Sequence, residues 1–279
     1  MSMAQGPEDQ LKGSRLGFIG AGAMGGALLR GLLTAGRVKA AELVFCDPDP
    51  KRQEEMKKWG IDAARDNAEV MRSPVVVLAV KPQILRQVLE EIKDLIQPWH
   101  LVISIAAGVP LAVLEEALPD ARVIRAMPNA PLMVQAGMTA LAPGSRATPQ
   151  DLDLALDLFR AVGRAEVLQE SHMDTVTALS GSGPAFVAVF LEALADGAVK
   201  MGLPRVQAME FAAQTVLGTA LLLLEKNIHP ALLKDLVTSP GGTTIHGLHA
   251  LEQGAFRAAV ISAIEAAAWR SQDLAAAVK

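Results

Sequence analysis

Cysteine is almost missing: Cys46 is the single one in 279 residues. One thiol cannot close an intrachain disulfide, which fits a reducing compartment, and a lone thiol of this kind reads as buried filler rather than a nucleophile. An excess of positive charge is missing too. Lys and Arg number 26 against 30 Asp and Glu, a formal charge of −4 with the signs mixed along the chain, so no basic stripe marks a nucleic-acid partner. Residues 1–14 carry neither an apolar core nor an arginine-rich amphipathic pattern, and they read as a disordered leader rather than a targeting peptide. The long apolar stretches, 175–191 and 211–224, contain Gly-Ser-Gly-Pro or fall short of a membrane span. A soluble, cytoplasmic protein is expected, with no membrane partner. Internal repeats and low-complexity tracts are absent as well.

What is present is apolar in bulk: 51% of residues are hydrophobic, enough for two buried cores in a chain of this length. Short apolar runs at 15–20, 42–47, 75–80 and 101–105 alternate with helical patterns at 28–36, 51–59, 83–95 and 111–118. This alternation predicts a predominantly parallel sheet covered by helices on both faces. Strands near 122–126, 138–141 and 165–168 and a helix over 150–162 extend the pattern, and after Gln169 the strand signal stops. The expected division is a dinucleotide-binding Rossmann domain over 15–170 and an all-helical domain over 171–279. Segments 185–195 and 211–224 carry one charge and none, so they read as helices buried on every side. Part of that surface is expected to bury against a second copy in a two-fold dimer.

Gly20-Ala21-Gly22-Ala23-Met24-Gly25 follows a strand and opens a helix, the context that makes G-x-G-x-x-G a cofactor fingerprint. Gly20 permits the tight turn, Gly22 lets backbone approach a pyrophosphate and Gly25 allows helix–strand packing, with the helix start facing the phosphates. Asp47 ends the second strand, where an acidic residue commonly bonds the adenosine ribose, and Lys51 and Arg52 lie just beyond. Ala79-Val80-Lys81-Pro82, 104–108 with Ala106, and 127–131 fall at the carboxyl ends of strands, the ligand-binding edge of an open α/β sheet. Asn67, after a short third strand, is placed to reach the adenosine end.

In the second half, Ser239-Pro240-Gly241-Gly242-Thr243-Thr244 sets a turn and two glycines ahead of a helix, an anion cradle for a carboxylate or phosphate. Ser180-Gly181-Ser182-Gly183-Pro184 reads as the opening of a long helix and a further nest of N–H groups. His246 and His249 share a helix face without further ligands at metal spacing, so no metal site is expected. No Ser-His-Asp pattern or paired carboxylates stand out, and the chemistry is left to a cofactor.

From about Arg15 to Leu274 the chain resembles the pyrroline-5-carboxylate reductase family. The motifs that carry the resemblance are Gly-Phe-Ile-Gly-Ala-Gly (17–22), Ala-Val-Lys-Pro (79–82), Ala-Ala-Gly-Val (106–109), Arg-Ala-Met-Pro-Asn (125–129), Leu-Ser-Gly-Ser-Gly-Pro-Ala (179–185) and Ser-Pro-Gly-Gly-Thr-Thr-Ile-His-Gly-Leu (239–248). The resemblance implies a Rossmann domain, a helical dimerisation domain, and dimers that assemble further into decamers. It also implies hydride transfer from NADPH or NADH to the cyclic imine 1-pyrroline-5-carboxylate, giving proline. By the same resemblance, Ser239 and the backbone N–H groups of Gly241, Gly242, Thr243 and Thr244 hold the substrate carboxylate, and the Thr244 hydroxyl bonds the ring nitrogen. Asn67 and Lys81 match cofactor-contacting positions. One departure bears on cofactor choice: Asp47 stands where many relatives have Ser or another small polar residue, which predicts use of NADH at least comparable with NADPH. Two other readings share the fold: a related hydroxyacid or imine reductase, and a nucleotide-binding sensor or scaffold. The first would want a lysine near the opening of the long helix, and the second has no need of the 239–244 cradle.

Overall fold

The computed structural model describes residues 15–278; the expected leader at 1–14 lies outside them. Apolar runs with no polar face make the strands. β1 (Leu16–Ile19), β4 (Val75–Leu78) and β5 (Leu101–Ser104) are buried along their whole length, as strands covered on both faces must be. With β2 (Leu43–Cys46), β3 (Asp62–Ala63), β6 (Arg122–Met127), β7 (Gly137–Pro143) and β8 (Gly163–Val167), the described residues form one eight-stranded sheet in the order β3-β2-β1-β4-β5-β6-β7-β8. The helices α1 (Ala23–Thr34), α2 (Pro50–Lys57), α3 (Asn67–Val70), α4 (Pro82–Ile92), α5 (Leu111–Ala117) and α6 (Pro149–Arg160) connect and cover it. Alternate strand residues feed two cores. Phe18, Phe45, Val77 and Ile103 pack with Leu28, Leu32 and Phe159 on one face, while Ile19, Val44, Leu78 and Val102 pack with Leu85, Leu89 and Leu114 on the other.

All pairs from β3 to β6 are parallel, and the order reverses between β1 and β4. β7 departs from the expected alternation by running antiparallel to β6, with Met127 opposite Ala140. The link between them holds only a 3₁₀ turn, Ala130–Val134, and is too short for a parallel crossover.

The chain forms two compact units, Met1–Ser182 with Ala267–Lys279 and Gly183–Ala266, a division that differs from a single cut near residue 170. Two features inside the first unit account for the difference. α7 (Met173–Val176) and a π turn, Thr177–Gly181, pack with the sheet, and the end of α12 (Phe256–Val278) comes back to them. Ser271, 4% exposed, donates from Oγ to Asp174 Oδ1 at 2.7 Å, and Leu274 packs beside Gly108.

The second unit is helical: α8 (Gly183–Lys200), α9 (Arg205–Lys226), α10 (Pro230–Leu236), α11 (Thr243–Gln253) and the first turns of α12. α8 packs on α9 with Ala195, Ala208 and Ala212 buried, but Val189 and Phe211 are 66% and 67% exposed. Burial on every side, predicted from sequence, is therefore not reached within one chain, because a few helices cannot cover one another completely. The segment Glu170–Lys200 and α9 are also longer than the apolar stretches they contain, and by length and composition both are sufficient to cross a membrane. Apolar helices that await a partner chain have the same composition.

Candidate active site

The glycine loop is shaped by what surrounds it. Gly20 has φ +96°, and a Cβ there would lie 2.6 Å from the Ala79 carbonyl oxygen, so the turn between β1 and α1 admits only glycine. Gly22 is the N-cap of α1 and has no side chain to bond the first N–H groups, which leaves those donors for an anion. A cavity of about 1030 Å³ opens beside the loop at the carboxyl ends of β1, β2, β4 and β5. Gly20, Gly22, Ala23, Met24, Asp47, Asn67, Ala79, Val80, Lys81, Pro82 and Ala106 all line it. Gly25 is held behind the loop against Gly20 and Ala79, which is a packing position and not a lining one. The volume, the topological switch point and the uncapped helix start together fit a dinucleotide.

Asp47 is 6% exposed, and both its oxygens are engaged. Oδ2 accepts the Ala21 N–H at 2.8 Å and Oδ1 accepts the Asp49 N–H at 3.0 Å, so the carboxylate braces the glycine loop from the next strand. A carboxylate has about four acceptor sites, which leaves capacity for ribose hydroxyls. Arg52 Nη1 lies 3.5 Å from Asp47 Oδ2, its Nε lies 3.4 Å from Asp49 Oδ2, and a Cβ on Gly22 would come within 2.5 Å of Nη1. The guanidinium thus lies across the second glycine of the loop. Lys51, one position earlier on α2, is absent from the cavity wall, so of the two basic residues read from sequence only Arg52 faces the cavity.

Asn67 donates from Nδ2 to Glu91 Oε2 at 2.7 Å, and Gln87 donates to Glu91 Oε1 at 2.9 Å. Gln87 and Glu91 also line the cavity and escape a reading by motif. Their spacing of one helical turn puts them on one face of α4, which is the signal that could have found them. Lys81 caps α4 ahead of Pro82. Cys46 lines the cavity as well, and its thiol is pushed up by burial first and then by the negative charges of Asp66, Asp47, Glu91 and Glu69. It stays protonated where an activated thiol would ionise.

The second unit holds the other predicted group. Ser239-Pro240-Gly241-Gly242 is a type II β-turn: Pro240 occupies the second position, Gly241 the third with φ +68°, and the Gly242 N–H donates to Ser239 O at 3.1 Å. α11 starts at Thr243 with Gly242 as N-cap and no side-chain cap bond, so its first N–H groups, those of Thr243 and Thr244 among them, lack an internal partner. Ser239 Oγ lies against Gly242. His246 is tied through Nδ1 to Gly242 O at 2.9 Å, and among the described residues no group of three His, Cys, Asp or Glu could hold a metal ion.

Ser180–Pro184 agrees with its sequence reading in position and differs in its hydrogen bonds. The segment does open α8, which starts at Gly183 with Pro184 second, but it follows directly on α7 and the π turn, and Ser182 N–H is spent on Thr177 O at 2.9 Å. The Ser182 N–H is therefore unavailable to a ligand.

The comparisons with known proteins bear on the whole chain. A family model described as Pyrroline-5-carboxylate reductase dimerisation matches residues 170–274, and one described as NADP oxidoreductase coenzyme F420-dependent matches 15–108. The chain is 49% identical over 267 residues to a pyrroline-5-carboxylate reductase of Methanosarcina acetivorans, covering 95% of this chain and 99% of that one. It is 45% identical over 263 residues to the Escherichia coli pyrroline-5-carboxylate reductase, covering 93% and 98%. Among solved structures, the Plasmodium falciparum pyrroline carboxylate reductase with NADP bound superposes with a TM-score of 0.86 at 33% identity, covering 94% of this chain and 98% of that chain.

Proposed function

The chain belongs to the pyrroline-5-carboxylate reductase family, and from that premise we propose how its residues divide the reaction. It is an NAD(P)H-dependent oxidoreductase that acts on the C=N bond of 1-pyrroline-5-carboxylate and yields L-proline. When bound, the reduced nicotinamide supplies the hydride taken up by the imine carbon. The residues do the remaining work. The glycine loop and the start of α1 hold the pyrophosphate, Asp47 faces the adenosine ribose, and Asn67, Lys81 and the loop at Ala106 complete the cofactor wall. Ser239 and the backbone N–H groups of Gly241, Thr243 and Thr244 bind the substrate carboxylate, the Gly242 N–H being spent on Ser239 O within the turn, and the Thr244 hydroxyl holds the ring nitrogen as it changes from imine to amine. Residues 15–170 serve the cofactor, and 171–279 serve substrate and dimerisation. Dimers assemble further into decamers in the cytoplasm, without nucleic-acid or membrane partners.

The observation that carries this reading is the presence in one chain of a cavity of dinucleotide size and of a Ser-Pro-Gly-Gly type II turn that leads into the uncapped start of α11. A sensor or scaffold has use for the first and none for the second. The test is direct: purified protein, NADPH or NADH and the imine are mixed, and the nicotinamide absorbance is followed. A fall that depends on the imine, with proline formed in equal amount, is expected. A cofactor that binds but is never oxidised would leave the scaffold reading.

A further inference from the structure

Pro184 is the second residue of α8 and follows the π turn by three positions. α7, the π turn and α8 follow one another with a single bend at Ser182. In a regular helix the N–H of residue 184 would serve the carbonyl of Ser180, and proline has none. The backbone just ahead of it is widened. Ser182 N–H reaches five residues back to Thr177 O at 2.9 Å, and the Ser180 hydroxyl fills in at Val176 O at 3.0 Å. The Ser180 carbonyl takes its hydrogen from far away in the chain, from Asn129 Nδ2 at 3.0 Å. Asn129 is 9% exposed, and its Oδ1 accepts the Met138 N–H at 2.8 Å, so its partners fix which end of the amide is which.

This bond sits at a meaningful place on the sheet. With the pyrophosphate at the loop after β1 and the adenosine ribose toward Asp47 on β2, a bound nicotinamide would lie the other way, toward β4 and β5. The cavity wall on that side ends with Ile105, Ala106 and Ala107, after β5. The next strand is β6, and the π turn rests on its end: a Cβ on Gly181 would lie 2.7 Å from Met127 Cε. Asn129, two residues beyond β6, pins the turn there. Resting on the reading of this cavity as the cofactor site of an imine reductase, we propose that Asn129 is a positioning residue for the hydride transfer. It holds the π turn at the nicotinamide end of the sheet, and Pro184 keeps the Ser180 carbonyl unclaimed so that Asn129 can hold it.

Two variants separate positioning from plain structural support. Pro184→Ala returns an N–H that can claim Ser180 O, which lets the turn relax toward an α-helix and leaves Asn129 without its acceptor. The expected result is a Tm no lower than that of the parent protein, a Kd for NADPH or NADH within twofold of it by nicotinamide fluorescence, and kcat about tenfold lower, the scale of one lost hydrogen bond. Asn129→Asp keeps an acceptor for the Met138 N–H but has no donor for Ser180 O while ionised. Its kcat is expected to be about tenfold low at pH 8 and to recover as the pH falls and the carboxyl gains the missing hydrogen, a recovery absent from the parent profile. Pro184→Ala protein as active as the parent would overturn the inference, as would an Asn129→Asp defect that is constant with pH. A parent protein that fails to oxidise cofactor with the imine would instead remove the reading on which the inference rests.

Discussion

Replacing Asp47 by asparagine removes one negative charge from the cofactor cavity while keeping an oxygen for the Ala21 N–H. The charge matters because a 2′-phosphate on the adenosine ribose would have to sit beside it. At about 5 Å and an effective dielectric of about 40, two like charges repel by roughly 1.7 kcal/mol. The phosphate carries more than one charge, which raises the figure, and the Arg52 guanidinium 3.5 Å from Asp47 Oδ2 lowers it. A net preference of about 1–2 kcal/mol against NADPH is left, and Asp47→Asn is expected to shift the ratio of kcat/KM values toward NADPH by about 5- to 30-fold. Asp47→Ser should shift the ratio in the same direction and also weaken both cofactors. It discards the buried acceptor of the Ala21 N–H, a bond to a charged group worth about 1.5–3 kcal/mol. The assay is steady-state kinetics with each cofactor at saturating imine, repeated at two salt concentrations. Strong NADPH preference in the parent protein, with an unmoved ratio in Asp47→Asn, would refute the reasoning. It would mean that the charge is spent wholly on the loop and that Arg52 governs the choice.

Thr244→Ala is expected to lower kcat about tenfold to a hundredfold, the loss of about 1–3 kcal/mol from one hydrogen bond, with a smaller effect on KM; an unchanged kcat would take Thr244 out of the mechanism. Ser239→Ala should act mainly on KM for the imine, and weakened cofactor binding instead would show that the turn is misassigned. Glu170→Ala strips Arg125, only 5% exposed, of its partner at 3.0 Å and the Leu111 N–H of its acceptor at 2.6 Å. A loss of about 2–4 kcal/mol is expected from amide exchange of β6, with Glu170→Gln losing about 1; equal values for the two would show that the charge is unimportant. The raised pKa of Cys46 places its rise in iodoacetamide reactivity at a higher pH than that of a free thiol, and saturating cofactor should protect it. Reaction at or below the free-thiol pH would contradict the burial seen here.

The parallel half of the sheet is legible in the sequence because its strands are continuous apolar runs and each is followed by a periodic helix. β7 is misread because direction depends on the connection, and a nine-residue link with one 3₁₀ turn carries no pattern of its own. The glycine loop and the Ser239–Thr244 turn are legible because glycine and proline there are demanded by local backbone geometry. Pro184 is legible in the same way as a helix start, and α8 does begin beside it, whereas the π turn ahead of it and the bond to Ser180 O from a side chain 51 residues upstream carry no local pattern. Similarly, Asp47 can be placed at the end of β2 from sequence, whereas its grip on Ala21 arises from packing.

The return of the end of α12 to the sheet, through Ser271 and Asp174, also sets an order of events during synthesis. Residues 15–182 leave the ribosome well before their last neighbours. The whole of Gly183–Ala266 must be made first, which at roughly 5–20 residues per second delays completion by about 4–17 s. Through that interval the Asp174 carboxylate lacks its Ser271 partner and the surface beside Gly108 lacks Leu274. Ribosome-arrested chains ending before Ala267 are expected to be cut by protease at 170–182 and to become resistant once Ser271 has emerged; equal resistance at both lengths would show that the first unit closes without its final helix.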